Sequence, residues 1–268
     1  MPTETLTTGG QTYIAGGTGR WILHDDSPGD NIITLHSGPE DQVTVFQASH
    51  DVITLGNGSH DFVQTGRGGS FGGSDNTVNL GNGNDDTVYD FQSRETPSPF
   101  YDTITMGAGA RDLVVLTTSA HDTHTDSPFI TGVAHVTFGG PDATLDLRST
   151  SGPSFFPATT AGQTSVDADR LDVIGGLVKG DHIHLSGFQA PNTDVLGTSH
   201  GLAGVPGEAL FATGTYSASV HTFTESAAGQ DALLTFDDGT HHFLSVVLVG
   251  AAHEIAGSTI HDGTITLG

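Results

Sequence analysis

Short apolar phrases with a period of two recur along the first half of the chain. Each phrase begins with Asp or Asn and continues as x-[Ile/Val]-[Thr/Asn]-[Leu/Met], in residues 31–35, 51–55, 76–80 and 102–106. Because alternate side chains of a β-strand point to the same side, the apolar residues of each phrase share one face. A second apolar phrase follows each of them and contains Val43, Val63, Val88 or Val114. The pattern predicts pairs of short strands, each pair with one apolar side.

A glycine-rich turn joins the two strands of each pair. It spans residues 56–61, 81–86 and 107–112, with a degenerate copy at 36–41, and every copy ends in Asp. Such self-similarity at a short period is typical of solenoids, in which stacked coils bury a face that no single coil can bury. We expect the glycines to supply the positive φ of tight corners. The predicted fold is all-β, a parallel β-solenoid or β-roll followed by a β-rich C-terminal cap.

Stacking of the coils predicts a ladder of carboxylates, because equivalent residues of neighbouring strands lie about 4.8 Å apart. Stacked like charges are destabilising unless a cation lies between them, and calcium accepts carboxylate and backbone carbonyl oxygens as ligands. The alternative is that these Asp side chains only cap turns. The predicted calcium ligands are Asp41, Asp61, Asp85, Asp86, Asp112, Gly58, Gly83 and Gly109.

The phrase Leu80-Gly81-Asn82-Gly83-Asn84-Asp85 resembles the glycine- and aspartate-rich nonapeptide of RTX (repeat-in-toxin) proteins, which form calcium-loaded parallel β-rolls. The repeats are degenerate. The position of the nonapeptide's Asp is Asp85 in this copy, but it is His60 in the copy before and Arg111 in the copy after. The Asp that recurs in every copy comes one residue later. The resemblance covers about residues 30–115 and implies calcium as the cofactor.

The second half of the chain is similar to the C-terminal region of RTX and serralysin-type secreted proteins. The similarity lies in residues 171–188 and 242–250, and residues 260–268 resemble the uncleaved signal of type I secretion. The predicted organisation is an N-terminal cap at 1–29, RTX-like repeats at 30–150, a linker at 151–167 and a β-rich C-terminal cap at 168–268.

Composition agrees with export. The chain has 31 acidic residues against 7 Lys and Arg, a net charge of −24, and no cysteine. This charge argues against nucleic-acid and anionic partners, and the absence of cysteine excludes disulfides. Residues 1–5 lack the basic and apolar regions of a secretory signal peptide, and no apolar run predicts a transmembrane segment. We expect an extracellular or cell-surface protein that is secreted without an N-terminal signal peptide and folds when it binds calcium.

No catalytic constellation is visible in the sequence. Zinc proteolysis needs two His residues around a Glu on one helix, and the phrase beginning at His253 and Glu254 lacks the second His. The predicted role is therefore structural, in an extracellular matrix, a surface layer or an adhesion apparatus, with self-association or a neutral carbohydrate as further partners. The alternative is an extracellular carbohydrate-active enzyme or carbohydrate-binding module. Tyr, His and Asp side chains converging on the loops at 66–73 and 92–100 would favour that alternative.

Two further patterns have open interpretations. The group His121, Asp122, His124 and Asp126, and the pair His182 and His184, are candidate transition-metal ligands or solvated polar positions. A row of outward residues, one per coil, is predicted to be an ice- or sugar-facing surface or an ordinary solvated face of β-favouring residues. This row comprises Thr34, Thr54, Asn79, Thr105 and Thr137.

Overall fold

The computed structural model describes residues 1–46, 50–66, 75–92, 101–119, 133–150, 163–169, 171–188, 196–199, 202, 204–239 and 243–268. The strands of the repeat region are β1 (Thr3–Leu6), β2 (Thr12–Ala15), β3 (Ile22–Asp25), β4 (Ile32–Leu35), β5 (Gln42–Val45), β6 (Val52–Leu55), β7 (Phe62–Thr65), β8 (Thr77–Asn79), β9 (Thr87–Gln92), β10 (Tyr101–Thr105), β11 (Leu113–Ser119), β12 (Val133–Thr137) and β13 (Thr144–Thr150). The remaining elements are β14 (Ser165–Asp167), β15 (Asp172–Gly175), β16 (His182–Ser186), β17 (Gly197–Thr198), β18 (Glu208–Ser217), β19 (Thr222–Glu225), β20 (Asp231–Asp237), β21 (Phe243–Val249), α1 (Ala252–Ala256), β22 (Thr259–His261) and β23 (Thr264–Thr266).

Successive strands alternate between two sheets, as in a solenoid. One sheet has the order β1-β3-β5-β7-β9-β11-β13-β16-β23-β22, and the other has β14-β19-β18-β20-β21-β15-β12-β10-β8-β6-β4-β2. Strands β1 to β13 pair only in parallel, each with the strand one coil away. The predicted all-β solenoid with a β-rich C-terminal part is therefore confirmed.

The repeat is in register from coil to coil. Ile33 pairs with Ile53, which pairs with Val78, which pairs with Ile104. The facing sheet stacks Val43, Val63, Val88 and Val114 in the same way. All eight side chains have 0% exposure, and they belong to one continuous apolar core between the sheets. The period-two pattern thus predicted the buried face correctly, because only in-register stacking removes these residues from water.

Two corners separate the sheets. We call the turn before each odd-numbered strand from β5 to β13 the glycine corner; it spans residues 36–41, 56–61, 80–86, 106–112 and 138–143. We call the other one, which precedes the even-numbered strands, the opposite corner; it includes residues 26–31 and 50–51. The two corners place different polar side chains against the ends of the core.

The glycines of the glycine corner have a different role from the one that the sequence suggested. Positive φ is found instead at His60 (66°), Asp85 (61°) and Arg111 (64°), which immediately precede the recurring Asp. The glycines are required by close stacking, since a Cβ at Gly83 would lie 1.5 Å from Gly58 O. The expectation that these glycines supply the positive φ was therefore wrong.

The C-terminal part extends both sheets with antiparallel strands. Strand β21 pairs in parallel with β15, and β20, β18, β19 and β14 then follow in antiparallel pairs. A second, smaller core forms on the outer side of this extension and contains Phe223, Leu171 and Val247. The hairpin of β22 and β23 covers the edge of β16. In the part of the chain that the structure describes, no helix is long and apolar enough to cross a membrane.

Candidate functional site

The glycine corner aligns the predicted aspartates into a hydrogen-bonded ladder. Asp61 Oδ1 accepts the backbone N–H of Asp41 at 2.9 Å, and Asp86 Oδ1 accepts that of Asp61 at 2.9 Å. Asp112 Oδ1 accepts the N–H of Asp86 at 3.1 Å, and Asp41 Oδ1 accepts that of Trp21 at 2.7 Å. Each carboxylate therefore caps the backbone of the preceding coil and links two coils.

The second oxygen of each ladder carboxylate is left without a donor. Among the described residues, Oδ2 of Asp41, Asp61, Asp86 and Asp112 is buried and has no hydrogen-bond partner. Burial raises the pKa of Asp61, Asp86 and Asp112 to about 6, although the backbone N–H bonds act in the opposite direction. A buried carboxylate oxygen without a partner is costly. The ladder therefore favours uptake of a proton or a cation.

Backbone oxygens lie beside the unpartnered carboxylate oxygens. The position of a Cβ on Gly83 is 1.5 Å from Gly58 O and 2.8 Å from Asp86 Oδ2, so both oxygens border the same small space. At Gly109 the corresponding neighbour is Gly83 O, at 1.4 Å. Carboxylate and carbonyl oxygens are the donors that calcium prefers. Across the described ranges no group of three or more His, Asp or Glu side chains is arranged to hold a metal ion, so any cation here would need carbonyl ligands as well.

Asp85 lies in a different environment from the other predicted ligands. It belongs to an exposed row in which acidic side chains alternate with Arg or His from coil to coil. Arg111 donates two hydrogen bonds to its carboxylate, at 2.8 and 2.7 Å, and His60 Nε2 lies 3.8 Å from it. In the two coils that precede His60, Arg20 lies 3.4 Å from Glu40. The hydrogen bonds from Arg111 lower the pKa of Asp85. This row neutralises its own charge with protein side chains.

The opposite corner carries a second ladder that was not assigned from the sequence. Asp51 Oδ1 accepts the N–H of Asn31 at 2.8 Å, and Asn76 Oδ1 accepts that of Asp51 at 3.1 Å. Asp102 Oδ1 accepts the N–H of Asn76 at 2.7 Å. All four side chains have exposures of 6% or less. In the sequence, the signal for this second ladder was the Asp or Asn that begins every copy of the repeat.

Both ladders have a gap in the same coil. The corner positions there are Ala134 and Ala143, whose N–H groups donate to Asp172 Oδ1 at 2.8 Å and Asp181 Oδ1 at 2.9 Å. The backbone N–H of an alanine can thus donate to a carboxylate of the next coil, although alanine has no carboxylate that could accept an N–H of the preceding coil. What positions each carboxylate is therefore the backbone N–H of the preceding coil rather than contact with another carboxylate.

A third polar cluster lies where the solenoid meets the C-terminal strands. The ring of Tyr101 lies 4.8 Å from that of His135 and 5.7 Å from that of His221, and its hydroxyl donates to Asp169 Oδ1 at 3.2 Å. Burial and then Asp169 raise the pKa of Tyr101, whereas burial and then His221 lower the pKa of His135. Within the described part of the chain, His135 Nε2 and His221 Nδ1 are buried without a hydrogen-bond partner, although His221 Nδ1 lies 3.6 Å from Asp169 Oδ1. Sequence reasoning missed this cluster because its members are far apart in the chain.

The other candidate groups have the following positions. His182 and His184 lie on one side of β16 with ring centroids 6.3 Å apart, and His182 Nδ1 is 3.1 Å from Thr266 Oγ1. The row from Thr34 to Thr137 is aligned residue by residue across five strands. The loops at 67–74 and 93–100, and the group from His121 to Asp126, lie outside the described residues.

Comparison of the chain with models of known protein families, with curated proteins and with solved structures found no match. The sequence and the geometry of the two ladders therefore carry the functional argument.

Proposed function

We propose that this chain is a secreted, RTX-like, calcium-binding structural protein of an extracellular matrix, a surface layer or an adhesion apparatus. The observation that supports the proposal is the row of buried, unpartnered Oδ2 atoms at the glycine corner. Calcium would be held by Asp41, Asp61, Asp86 and Asp112 together with the carbonyl oxygens of Gly58, Gly83 and Gly109. Asp85 would contribute to a site only if it separated from Arg111.

The net charge of the chain favours calcium binding by the ladder aspartates over a role as turn caps alone. The net charge of −24 opposes the compact state, and a divalent cation between two ladder carboxylates would relieve both this repulsion and their desolvation. A site built from two coils exists only when those coils are stacked, so calcium binding would be coupled to folding. Such a protein would be less stable where calcium is scarce and stable where calcium is abundant.

Architecture supports a structural role. Thirteen consecutive strands in parallel register form a stiff array, and the ladder hydrogen bonds join each coil to the next. Repetition of this kind presents the same groups at a regular spacing along one axis, which suits assembly or attachment to an extended surface. The aligned row that includes Thr34 and Thr54 is such a face, and it is uncharged. An uncharged face fits a neutral carbohydrate or a second copy of the chain.

A calcium titration of chelated protein tests the proposal. We expect β-structure by circular dichroism and the melting temperature to rise together as calcium is added, and calorimetry to report binding. Asp86→Asn keeps the Oδ1 acceptor for Asp61 N–H but removes the charge, so it should reduce the gain from calcium without weakening the chelated protein. Asp142→Asn, at an exposed position of the same corner, is the control and should respond as the parent protein does. If calcium changes neither signal, the ladder is a set of turn caps and the proposal fails.

The cluster around Tyr101 favours a second candidate function, a carbohydrate-active enzyme or carbohydrate-binding module. It combines a phenol, two imidazoles and a carboxylate, which are groups used for proton transfer and for hydrogen bonds to sugar hydroxyls. Asp169 has a side-chain exposure of 43% and His221 of 35%, so the cluster has a side open to solvent.

Binding and hydrolysis of neutral oligosaccharides by the parent protein, His135→Ala and His221→Ala would test this second function. His50→Ala is the control, because His50 is an exposed histidine that contacts Asp75 at 3.5 Å outside the cluster. Activity or binding that is lost in the cluster variants alone would favour the carbohydrate function. If the parent protein neither binds nor cleaves any oligosaccharide, the cluster is a packing contact.

A further inference from the structure

Two pairs of buried carboxyl groups lie at the opposite corner, outside the proposed calcium ladder. One pair is Asp25 and Asp51, and the other is Asp90 and Asp102. Asp25, Asp51 and Asp90 have 0% exposure and Asp102 has 6%. Within each pair the charge of one carboxylate raises the pKa of the other, so the two groups lie close together. Acidic side chains this deeply buried are rare unless something neutralises them.

The first pair is held by Asn31. Its side-chain amide donates to Asp25 Oδ2 at 2.7 Å, and its backbone N–H donates to Asp51 Oδ1 at 2.8 Å. Asn31 Oδ1 accepts the N–H of Gln11 at 2.8 Å, which fixes the orientation of the amide. The N–H of Ser27 donates to Asp25 Oδ1 at 2.9 Å. Asp51 Oδ2 has no N–H or O–H donor among the described residues.

The second pair lies on two successive strands, with Asp90 on β9 and Asp102 on β10. Thr65 Oγ1 donates to Asp90 Oδ1 at 2.8 Å, and the N–H of Asn76 donates to Asp102 Oδ1 at 2.7 Å. Asp90 Oδ2 is buried without a donor in the described part of the chain. Both sites combine two Asp residues with the backbone N–H of an Asn in the preceding coil. Only the first also uses the Asn side-chain amide, because Asn76 Nδ2 is buried without a hydrogen-bond partner among the described residues.

Two neighbouring carboxylates in a buried site do not both carry a charge unless a cation compensates them, and among the described residues no cationic side chain acts on Asp51, Asp90 or Asp102. The hydrogen-bond donors around each pair indicate whether a proton or a metal cation neutralises it. Asn31 directs an NH2 group and Ser27 an N–H at the first pair, and Thr65 directs a hydroxyl hydrogen at the second. Such donors repel a cation but are compatible with a carboxyl–carboxylate pair.

We propose that each pair shares one proton in the folded protein and that this corner is a pH-sensitive lock between coils. Loss of the proton places two like charges in contact inside the core and loosens the coils that the pair joins.

The surrounding charges favour retention of the proton. Asp30 acts on the first pair and Asp75 on the second, and both are acidic. Burial, followed by the charge of Asp25, raises the pKa of Asp51 to about 7 despite the hydrogen bond from Asn31. Burial and then the charge of Asp90 hold the pKa of Asp102 well above its usual range. Asp51 and Asp102 should therefore titrate at a higher pH than the carboxyl groups of the glycine corner, where the pKa values reach about 6.

Infrared spectroscopy of the full chain in saturating calcium tests the shared protons. At pH 7 the folded parent protein should show a carboxylic-acid C=O band that exchanges slowly and disappears on unfolding. Asp51→Asn and Asp102→Asn should each remove part of this band. Asn is the matched substitution, since it keeps the Oδ1 acceptor, is neutral like a protonated acid, and already occupies positions 31 and 76 of the same ladder.

Denaturant unfolding at several pH values provides a second readout. Between the unfolded and folded pKa values, each shared proton changes the unfolding equilibrium constant about tenfold per pH unit. Between about pH 6 and pH 7 the parent protein should lose stability with this slope, and Asp51→Asn should show a smaller slope. Ile32→Ala, which removes an exposed, non-titratable side chain, is the control and should keep the parent slope in this interval. The absence of an acid band at pH 7, or its removal by calcium, would overturn the proposal, as would an unchanged slope in Asp51→Asn.

Discussion

The guanidinium of Arg111 holds the carboxylate of Asp85, one coil away, with two hydrogen bonds of 2.8 and 2.7 Å. Asp85 is the residue that matches the Asp of the RTX nonapeptide, so a protein cation is bound to the group that the resemblance assigned to calcium. The same row pairs Arg20 with Glu40 one coil before His60. The guanidinium thus neutralises the Asp85 carboxylate within the protein at this point of the edge.

Arg111→Gln should lower the melting temperature only slightly, because exposed ion pairs contribute little to stability. The loss should be largest at low ionic strength and should vanish at 1 M salt, where screening is strong. Asp85→Asn should have a similar effect, and the double variant should lose little more than either single variant. Thermal melts of the four proteins in chelator form the double-mutant cycle. Additive losses would mean that the two side chains do not interact in solution.

Gly83→Ala should destabilise the solenoid by about 3 kcal/mol or more, since overpacking a tight contact costs 1–3 kcal/mol and backbone atoms yield less than side chains. The added Cβ would lie 1.5 Å from Gly58 O and would force the two coils apart. Gly19→Ala is the matched control, because Gly19 occupies the corresponding turn of an earlier coil and has no atom within 4 Å of its Cβ position. Urea denaturation measures both. Equal stabilities of the two variants would contradict the close stacking of glycines.

Ile33→Ala should cost about 2–5 kcal/mol, the usual range for removing a large aliphatic side chain from a core. Ile32→Ala, at the adjacent residue of the same strand, should change stability by less than about 0.5 kcal/mol. The difference arises because Ile33 has 0% exposure whereas Ile32 has 47%. Denaturant unfolding of both variants in the same buffer makes the comparison. A larger loss for Ile32→Ala would mean that the register of β4 is displaced by one residue.

The chelated protein should become less stable as the pH rises from about 4 to about 6. The pKa values of Asp61, Asp86 and Asp112 are raised from 3.8 to about 6, so the folded state binds more protons than the unfolded state in this interval. The free energy of unfolding therefore falls with increasing pH, and this contribution is gone above the folded pKa.

Calcium should reverse this trend, because a cation that replaces the protons stabilises the ionised ladder. Unfolding by urea at pH 4, 5, 6 and 7, with and without calcium, is the measurement. The gain from calcium should be smallest at pH 4 and largest at pH 7. A gain that is independent of pH would place calcium away from the ladder carboxylates.

Much of the architecture could be predicted from local patterns. The alternation in residues 31–35 and its copies fixed the buried side of each strand, since a shift of one residue would expose all of the apolar side chains. The recurring Asp could also be placed at a corner, because equivalent residues of a solenoid must stack. The role of the glycines could not be predicted, because the close approach of Gly83 to Gly58 is a property of two coils rather than of one turn.

The polar clusters, like the role of the glycines, could not be predicted from local patterns. Tyr101, His135, Asp169 and His221 come together only because β10 and β12 adjoin the strands of the C-terminal part. Asp25 faces Asp51, and Asp90 faces Asp102, because the corner directs the side chains inward at those coils. Spacing along the chain contains no signal for such contacts.

The sequence by itself indicated that this protein is a β-solenoid, because copies of a two-strand unit as short as 20 residues can bury their apolar residues by stacking. It also determined that carboxylates recur once per coil. Only the tertiary structure decided what each carboxylate contacts: a backbone N–H of the preceding coil at Asp61, a guanidinium at Asp85 and a second carboxyl group at Asp51. The physical reason is that hydrogen bonds and charge neutralisation depend on distances between coils, and those distances are set by the packing of the whole stack.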